Sequence, residues 1–210
     1  MFTADQALAW VRGTAAGMEE QAQYLTRLDA AIGDGDHGSN MNRGFKAALQ
    51  RLDSLDAADL GAVLRAVSMA LIGKVGGASG PLYGSFYLAM AKELGDAREV
   101  DDARLAAALR AGYDGVVARG RAQLEDKTML DAWHPALQAL DAALAAGEDL
   151  GAALDAAERA AGEGMKATIP MVARKGRASY LGERSRDHQD PGATSTHLIV
   201  KALADVVNGR

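Results

Sequence analysis

Apolar residues recur at intervals of three and four along most of the chain, and this helical period is the strongest constraint on the fold. Runs of β-branched and aromatic residues, which strands favour, are nearly absent, and only 5% of the 210 residues are aromatic. The pattern predicts about eight helices. They span residues 3–28, 39–52, 57–73, 79–94, 101–119, 131–146, 148–167 and 192–208.

Short connections join these segments, so we expect consecutive helices to run antiparallel. Ser39 and Ser79 are expected to cap two of the helices, with Pro81 in the first turn of the second. One connection is long, residues 172–191, and such a loop in a compact domain is typically functional or disordered. The sequence therefore predicts an all-α fold, with residues 1–210 forming one bundle-like domain.

Composition excludes several functional classes. The net charge of −5 and the pI of about 5.4 do not suit a nucleic-acid-binding face. The chain has no cysteine, which rules out disulfides and thiolate metal sites. Its apolar runs are shorter than the roughly 20 residues of a membrane helix, and the N-terminus does not resemble a signal peptide. We expect no nucleic-acid or membrane partner and a cytoplasmic location.

The stretch "IGDGDHGSNM", residues 32–41, contains a G-x-G-x-x-G pattern that is typical of dinucleotide-binding loops. Such a loop must follow a buried strand, whereas the preceding residues have a helical pattern. A calcium loop is also excluded, because its twelfth position would be Phe45 instead of glutamate. The chain contains no P-loop signature.

Three carboxylates remain in and before this stretch: Asp29, Asp34 and Asp36. Asp34 and Asp36 are two positions apart on a turn, and Asp29 can reach the same point from the end of a helix. Such a set of hard oxygen ligands suits Mg²⁺, whose shell substrate phosphates commonly complete. Ser39 and Asn40 begin the next helix, whose N-terminus favours an anion. The alternative is a solvated turn with capping aspartates.

Other motifs allow more than one interpretation. "GGASG", residues 76–80, is either a second anion-binding turn or only a turn. His37 either hydrogen-bonds a phosphate or is itself phosphorylated, and we favour the first. Trp10 and Trp133 are expected in the core, and Met129 either there or beside a base. The long loop is either a solvated basic loop or a basic lid over phosphates, with Arg174, Lys175, Arg177, Arg184 and Arg186.

Five motifs occur in an order that resembles the DhaL family, the nucleotide-binding subunits of phosphotransferase-system-dependent dihydroxyacetone kinases. They are "GDGDHGSNMNRGF", "VGGASGPLYG", "DKTMLDAW", "ARKGRASYLGERS" and "HQDPGATS", between about Leu25 and Thr196. The resemblance implies an up-and-down barrel of eight amphipathic helices with its site at one end. It implies two Mg²⁺ ions on Asp29, Asp34 and Asp36. For ADP or ATP it implies contacts with His37, Gly38, Ser39, Asn40, Ala78, Ser79, Gly120, Met129, Arg177, Asp190, Pro191 and Gly192.

The resemblance also implies a division of labour between subunits. A DhaM-like phosphohistidine subunit would convert the bound ADP to ATP, and a DhaK-like subunit would hold dihydroxyacetone. Arg177 would then be the catalytic residue, neutralising charge on the phosphoryl group during transfer. Two other functions remain open: the ATP-dependent half of a ketose or fatty-acid kinase, and a nucleotide-sensing module without chemistry. The sequence also leaves a homodimer open.

Overall fold

The structure, a computed structural model, describes residues 1–54 and 59–210. In these ranges the chain forms nine α-helices, two short strands and one 3-10 segment. The helices are α1 (Ala4–Glu20), α2 (Ala22–Ile32), α3 (His37–Asp53), α4 (Leu60–Lys74), α5 (Ser79–Leu94), α6 (Asp102–Gly120), α7 (Leu130–Ala145), α8 (Leu150–Ala167) and α9 (Pro191–Val207). The strands are β1 (Phe2–Thr3) and β2 (Glu99–Val100), and the 3-10 segment spans Arg177–Ser185.

Eight of the helices close into a ring. Each of α3 to α8 packs against the next helix in the chain, and α1 fills the gap between α9 and α3. Helix α2 lies outside this ring and packs against α3, α9 and the 3-10 segment. The expected all-α, eight-helix arrangement is therefore confirmed, with α2 as an additional helix at one end.

The predicted first helix, residues 3–28, is in fact two helices that meet at Gln21. Neither proline nor glycine stands at the break, so the sequence gives no local signal for it. The break separates the direction of α2 from that of α1. As a result, Asp29 in α2 lies at the end of the ring that holds the site. The first residues of the predicted helix 57–73 fall on residues 55–58, which lie outside the described ranges.

Both predicted serine caps are wrong. Helix α3 begins at His37 with Asp36 as its N-cap residue, and the Ser39 hydroxyl donates to the Asp36 carbonyl. Helix α5 begins at Ser79 itself, and the Ser79 hydroxyl turns to His37 instead of the helix backbone. Pro81 lies in the first turn of α5, as expected.

Aromatic side chains fill the middle of the ring. Trp10 and Trp133 are fully buried, as the sequence predicts, and the Trp10 indole donates to the Ile199 carbonyl at 2.9 Å. The Trp133 ring stacks on Phe86 with 4.3 Å between centroids. These contacts join α1, α5, α7 and α9 and make the barrel a packed core.

The alternation of helix direction decides where the site lies. β1, before α1, pairs with β2, after α5, so that end of the barrel holds the start of α1 and the end of α5. The opposite end gathers the N-termini of α3, α5, α7 and α9. Within residues 1–54 and 59–210, no helix combines the length and apolar character needed to cross a membrane.

Candidate functional site

A cleft of about 360 Å³ opens at the end of the barrel where these N-termini meet. Its lining includes thirteen of the fifteen residues that the sequence predicts for the site. The two that do not line it are Gly38 and Ser39. The thirteen are Asp29, Asp34, Asp36, His37, Asn40, Ala78, Ser79, Gly120, Met129, Arg177, Asp190, Pro191 and Gly192.

The three aspartates converge at one side of the cleft. Asp29, Asp34 and Asp36 each place one carboxylate oxygen within 4.8 Å of the others. Asp29, only 9% exposed, also organises the turn, because its Oδ2 accepts the backbone N–H groups of Asp36 at 2.9 Å and His37 at 3.1 Å. The arrangement is a compact set of hard oxygen donors, the type of site that Mg²⁺ prefers.

Two glycines of the stretch IGDGDHGSNM permit this geometry, because their lack of a side chain allows close packing. A β-carbon at Gly33 would lie 2.2 Å from Asp29 Oδ1, and one at Gly38 would lie 2.0 Å from the Ala22 carbonyl oxygen. Both distances are far below a normal contact. Gly33 therefore leaves room for the Asp29 carboxylate, and Gly38 lets α3 start directly against α2.

Glycine-rich backbone lines another part of the cleft. The turn before α5, with Gly77 at φ 64°, brings Gly76, Gly77 and Ala78 to the wall. Asn40 of α3 lies beside this turn, and a β-carbon on Gly76 would be 3.1 Å from its Nδ2. Because helix N-termini carry partial positive charge, the starts of α3, α5 and α9 around one cleft suit an anionic ligand.

His37, at the start of α3, contacts both α5 and α9. Its Nδ1 lies 3.1 Å from the Ser79 hydroxyl and its Nε2 lies 3.0 Å from the Ser195 hydroxyl. Burial lowers the pKa of His37 to about 4, although Asp29 and Asp36 oppose the shift. The imidazole is therefore neutral at neutral pH, and both ring nitrogens already have protein partners. This favours a positioning role and disfavours phosphorylation of His37.

The network continues below the cleft through Tyr83. The Tyr83 hydroxyl lies 2.7 Å from Ser195 Oγ, 2.9 Å from Thr196 Oγ1 and 2.9 Å from the Gly192 carbonyl oxygen. Burial raises the pKa of Tyr83 above its ordinary value. The chain of hydroxyls fixes the start of α9 against α5. Tyr83 and Ser195 lie in the motifs VGGASGPLYG and HQDPGATS, but nothing in either motif predicts their contact.

The long loop lies over the carboxylates. Its residues Lys175, Gly176, Arg177 and Ala178 line the cleft, whereas Arg174, Arg184 and Arg186 do not. Arg177 Nε is 2.8 Å from Asp34 Oδ2. Arg186 instead pairs with Glu183 within the loop. The basic-lid interpretation thus fits two of its five cations, Lys175 and Arg177.

Apolar side chains form the other side of the cleft. Ile32, Leu82, Val116 and Met129 line it, next to Gly120 at the end of α6. Met129 is nearly buried, so it belongs both to the core and to the wall of the cleft. One wall of the cleft is apolar, and the other carries charged side chains and helix N-termini. Such a cleft can hold a nucleotide, with the base against the apolar wall and the phosphates against the charged wall.

Asp190 closes the floor between these two sides. Its Oδ2 accepts the Ala193 N–H at 2.7 Å and so caps α9. Burial raises the pKa of Asp190 to about 7, against the opposing effects of that hydrogen bond and of Lys127. Lys127 also lines the cleft and is 1% exposed, and burial lowers its pKa. Lys127 stands two residues before Met129 in the motif DKTMLDAW, but the sequence did not predict it as a site residue.

Known proteins resemble this chain in sequence and architecture. Residues 31–205 match the DAK2 domain family. The PEP-dependent dihydroxyacetone kinase ADP-binding subunit DhaL of Escherichia coli is 42% identical over 95% of both chains. The ADP-binding subunit DhaL of PEP-dependent dihydroxyacetone kinase 1 of Listeria innocua is 41% identical over 96% of both. The crystal structure of the C. freundii dihydroxyacetone kinase with AMP-PNP and Mg²⁺ aligns with a TM-score of 0.72 and 29% identity. That alignment covers 95% of this chain but 33% of the kinase. The chain belongs to the DAK2 domain family and resembles its ADP-binding DhaL subunits over nearly its full length.

Proposed function

We propose that this chain is the nucleotide-binding subunit of a dihydroxyacetone kinase, a phosphotransferase, and holds Mg–ADP as a coenzyme. The observation that carries the proposal is the convergence of three carboxylates, three helix N-termini and a basic lid on one cleft with an apolar wall. That arrangement can neutralise and orient a chain of phosphates, and it lies in a chain of the DAK2 domain family. We also propose that residues 1–210 act as one nucleotide-binding domain.

The donor set fits the metal. Asp29, Asp34 and Asp36 supply hard oxygen ligands, and their mutual repulsion favours a divalent cation between them. We assign two Mg²⁺ ions to them, since a pair of ions matches a diphosphate better than one. When bound, Mg²⁺ neutralises phosphate charge and fixes the phosphate oxygens.

The chain's own residues contribute position and charge. All of the following residues line the cleft: Ala78, Ser79, Asn40, Gly120 and Met129. We assign Ala78, Ser79 and Asn40 to the phosphates of a bound nucleotide, and Gly120 and Met129 to its base. Arg177 lies on the lid at the phosphate side, where its guanidinium can neutralise charge on a phosphoryl group in transfer. The lid and Asp190-Pro191-Gly192 would shield a bound nucleotide from water.

Two transfers follow from this assignment. In the first, the N–P bond of a phosphohistidine on a DhaM-like subunit would break and a bond to a β-phosphate oxygen of ADP would form. In the second, the terminal phosphoryl of ATP would pass to a hydroxyl of dihydroxyacetone on a DhaK-like subunit, with release of the hydroxyl proton and of ADP into the cleft. Both partners must reach the same cleft mouth, so the transfers are sequential. We place the reaction in the cytoplasm and leave a homodimer to a molar-mass measurement.

The decisive experiment identifies what the purified chain retains. The protein is desalted without added nucleotide and denatured, and the released nucleotide and metal are quantified. We expect about one ADP and about two Mg²⁺ per chain. In a second step, phosphohistidine subunit and substrate subunit are added, and dihydroxyacetone phosphate is expected to form without free ATP. A chain that binds no nucleotide even with Mg²⁺ contradicts the proposal.

The second candidate is an ATP-dependent kinase half, because this chain aligns with one third of a complete single-chain kinase. In that case nucleotide exchanges at each turnover, and free ATP supports the reaction with the substrate subunit. A nucleotide-sensing module would support neither reaction. Turnover with the phosphohistidine subunit but not with free ATP indicates the proposed function. Turnover with free ATP alone indicates the ATP-dependent kinase half, and no turnover with either donor indicates the nucleotide-sensing module.

A further inference from the structure

Lys127 occupies an unusual position between the floor of the cleft and the start of the lid. Its side chain is 1% exposed, and its Nζ lies 2.7 Å from the Thr168 carbonyl oxygen, 3.1 Å from that of Met171 and 3.3 Å from that of Ile169. These carbonyls belong to the turn in which α8 ends and the lid begins. Lys127 itself has φ 62°, a left-handed conformation that non-glycine residues rarely adopt.

The three carbonyls use all the hydrogen-bonding capacity of the ammonium group. A lysine ammonium has three N–H donors and no acceptor, so none remains for a ligand. Lys127 lines the cleft and carries a positive charge, yet it is not in position to donate to a phosphate. Its strained backbone persists because the surroundings fix it, a condition frequent at functional sites.

The same turn ties together both ends of the lid. Asp187 N donates to the Ile169 carbonyl at 2.8 Å, and Arg186 Nη1 donates to the Pro170 carbonyl at 3.0 Å. Asp190 N donates to Thr168 Oγ1 at 3.0 Å. The lid therefore starts and ends at the turn that Lys127 holds.

The floor is joined to the lid on the other side of Lys127. Arg174 N donates to the Asp126 carbonyl at 3.0 Å, three residues before Arg177. Asp131 accepts the N–H of Thr128 at 2.7 Å and fixes the segment that carries Met129. Residues 126–131 thus connect the apolar wall of the cleft, through Lys127, with the lid that carries Arg177.

We propose that Lys127 is a positioning residue that locks the base of the lid to the floor of the cleft, so that the lid closes over the bound nucleotide and slows its release. The expected effect on nucleotide release rests on the proposed function. The ordering of the lid, in contrast, can be measured without any ligand. The alternative is that Lys127 only caps the C-terminus of α8 and stabilises the fold.

The test compares Lys127→Met with Lys166→Met, which removes an exposed lysine from the same helix end. Three quantities are measured: hydrogen exchange of residues 172–186 in nucleotide-free protein, the dissociation rate of a fluorescent ADP analogue with Mg²⁺, and the melting temperature. We expect Lys127→Met to raise lid exchange and to speed ADP release at least tenfold, with exchange in α3 to α7 unchanged. Lys166→Met is expected to change none of these.

A lower melting temperature with normal lid exchange and normal ADP release overturns the proposal, because it indicates a cap alone. If Lys127→Met does not fold, Lys127→Gln decides, since its amide group can still donate to the carbonyl oxygens but lacks the third donor and the charge of the ammonium group. Faster lid exchange in that variant supports the lock, and unchanged exchange overturns it. If wild type binds no ADP, the proposed function fails, and lid exchange still decides the role of Lys127.

Discussion

Arg177 and Asp34 form an ion pair across the mouth of the cleft, with 2.8 Å between Nε and Oδ2. The pair joins the residue assigned to the transferred phosphoryl group with a residue assigned to the metal. Both side chains are partly exposed, and exposed ion pairs contribute only about 0–1 kcal/mol, so this one can open readily. Metal on Asp34 and phosphate beside Arg177 would each favour its opening.

Arg177→Ala is therefore expected to have opposite effects on metal and on turnover. Without nucleotide, Mg²⁺ binds more tightly, because Asp34 has lost a competing cation. Turnover with both partner subunits falls on the order of 10²-fold, as for the loss of a group that stabilises transition-state charge. Titration calorimetry gives the first quantity and a coupled assay of dihydroxyacetone phosphate gives the second.

Arg184→Ala is the control, since Arg184 belongs to the same lid but does not line the cleft. It is expected to leave both quantities within twofold of wild type. Unchanged turnover in Arg177→Ala would remove this residue from the chemistry. Weaker Mg²⁺ binding in that variant would contradict the competition between Arg177 and metal.

Much of this site follows from the sequence, because its residues come from a few short, unusual motifs. The helical period predicted an all-α bundle, and the family resemblance predicted that its helices form a barrel. The positions of Asp29, Asp34 and Asp36 predicted a carboxylate cluster, and the geometry brings these three residues together. Convergence of these motifs at one end of a barrel follows from alternating helix direction. That alternation is encoded in the short connections.

The sequence could not predict features that depend on tertiary contacts. Ser79 has a typical capping sequence, but its hydroxyl contacts His37, a residue 42 positions away. Lys127 looks like an ordinary charged residue, and its burial depends on carbonyls at the end of α8. The break at Gln21 likewise has no local signal. In each case packing against a distant segment outweighs local preference.

Asp34→Asn is expected to abolish the stabilisation of the protein by Mg²⁺. Ligand that binds only the folded state raises its stability by RT ln(1 + [L]/Kd), so wild type melts at a higher temperature as Mg²⁺ increases. In the variant this dependence should largely disappear, while the metal-free melting temperature stays the same or rises as carboxylate repulsion is relieved. Asp96→Asn, exposed beyond the far end of α5, should retain the full Mg²⁺ response. An equal response in Asp34→Asn would exclude Asp34 as a ligand.

Asp190→Asn is expected to change how stability depends on pH. Burial raises the folded-state pKa of Asp190 to about 7 from its ordinary value of 3.8, so between these values the folded protein keeps a proton that the unfolded chain releases. The stabilisation from Asp190 is complete below about pH 4 and is lost as pH rises towards 7. The stability of wild type minus that of the variant should fall by up to about 1.4 kcal/mol per pH unit across this window.

The measurement is urea unfolding of both proteins with chelator at several pH values between 4 and 8. Asparagine can still accept the Ala193 N–H, so the variant keeps its helix cap. His37, whose pKa is lowered to about 4, makes wild type less stable as pH falls, but it is present in both proteins and cancels in the difference. If the difference in unfolding free energy between wild type and variant is constant with pH or rises with it, the raised pKa of Asp190 is contradicted.

Gly38→Ala separates close packing from a direct contact with phosphate. The new β-carbon would lie 2.0 Å from the Ala22 carbonyl oxygen and 2.8 Å from Thr26 N, so α2 and α3 must move apart. We expect the metal-free protein to lose about 1–3 kcal/mol of unfolding free energy in urea, as for other overpacked sites. Gly17→Ala, within α1 and with nothing within 4 Å of the new carbon, should instead gain about 0.5–1 kcal/mol. If Gly38 acted only by letting its backbone approach a phosphate, Gly38→Ala would weaken ADP binding and leave the stability of the metal-free protein unchanged.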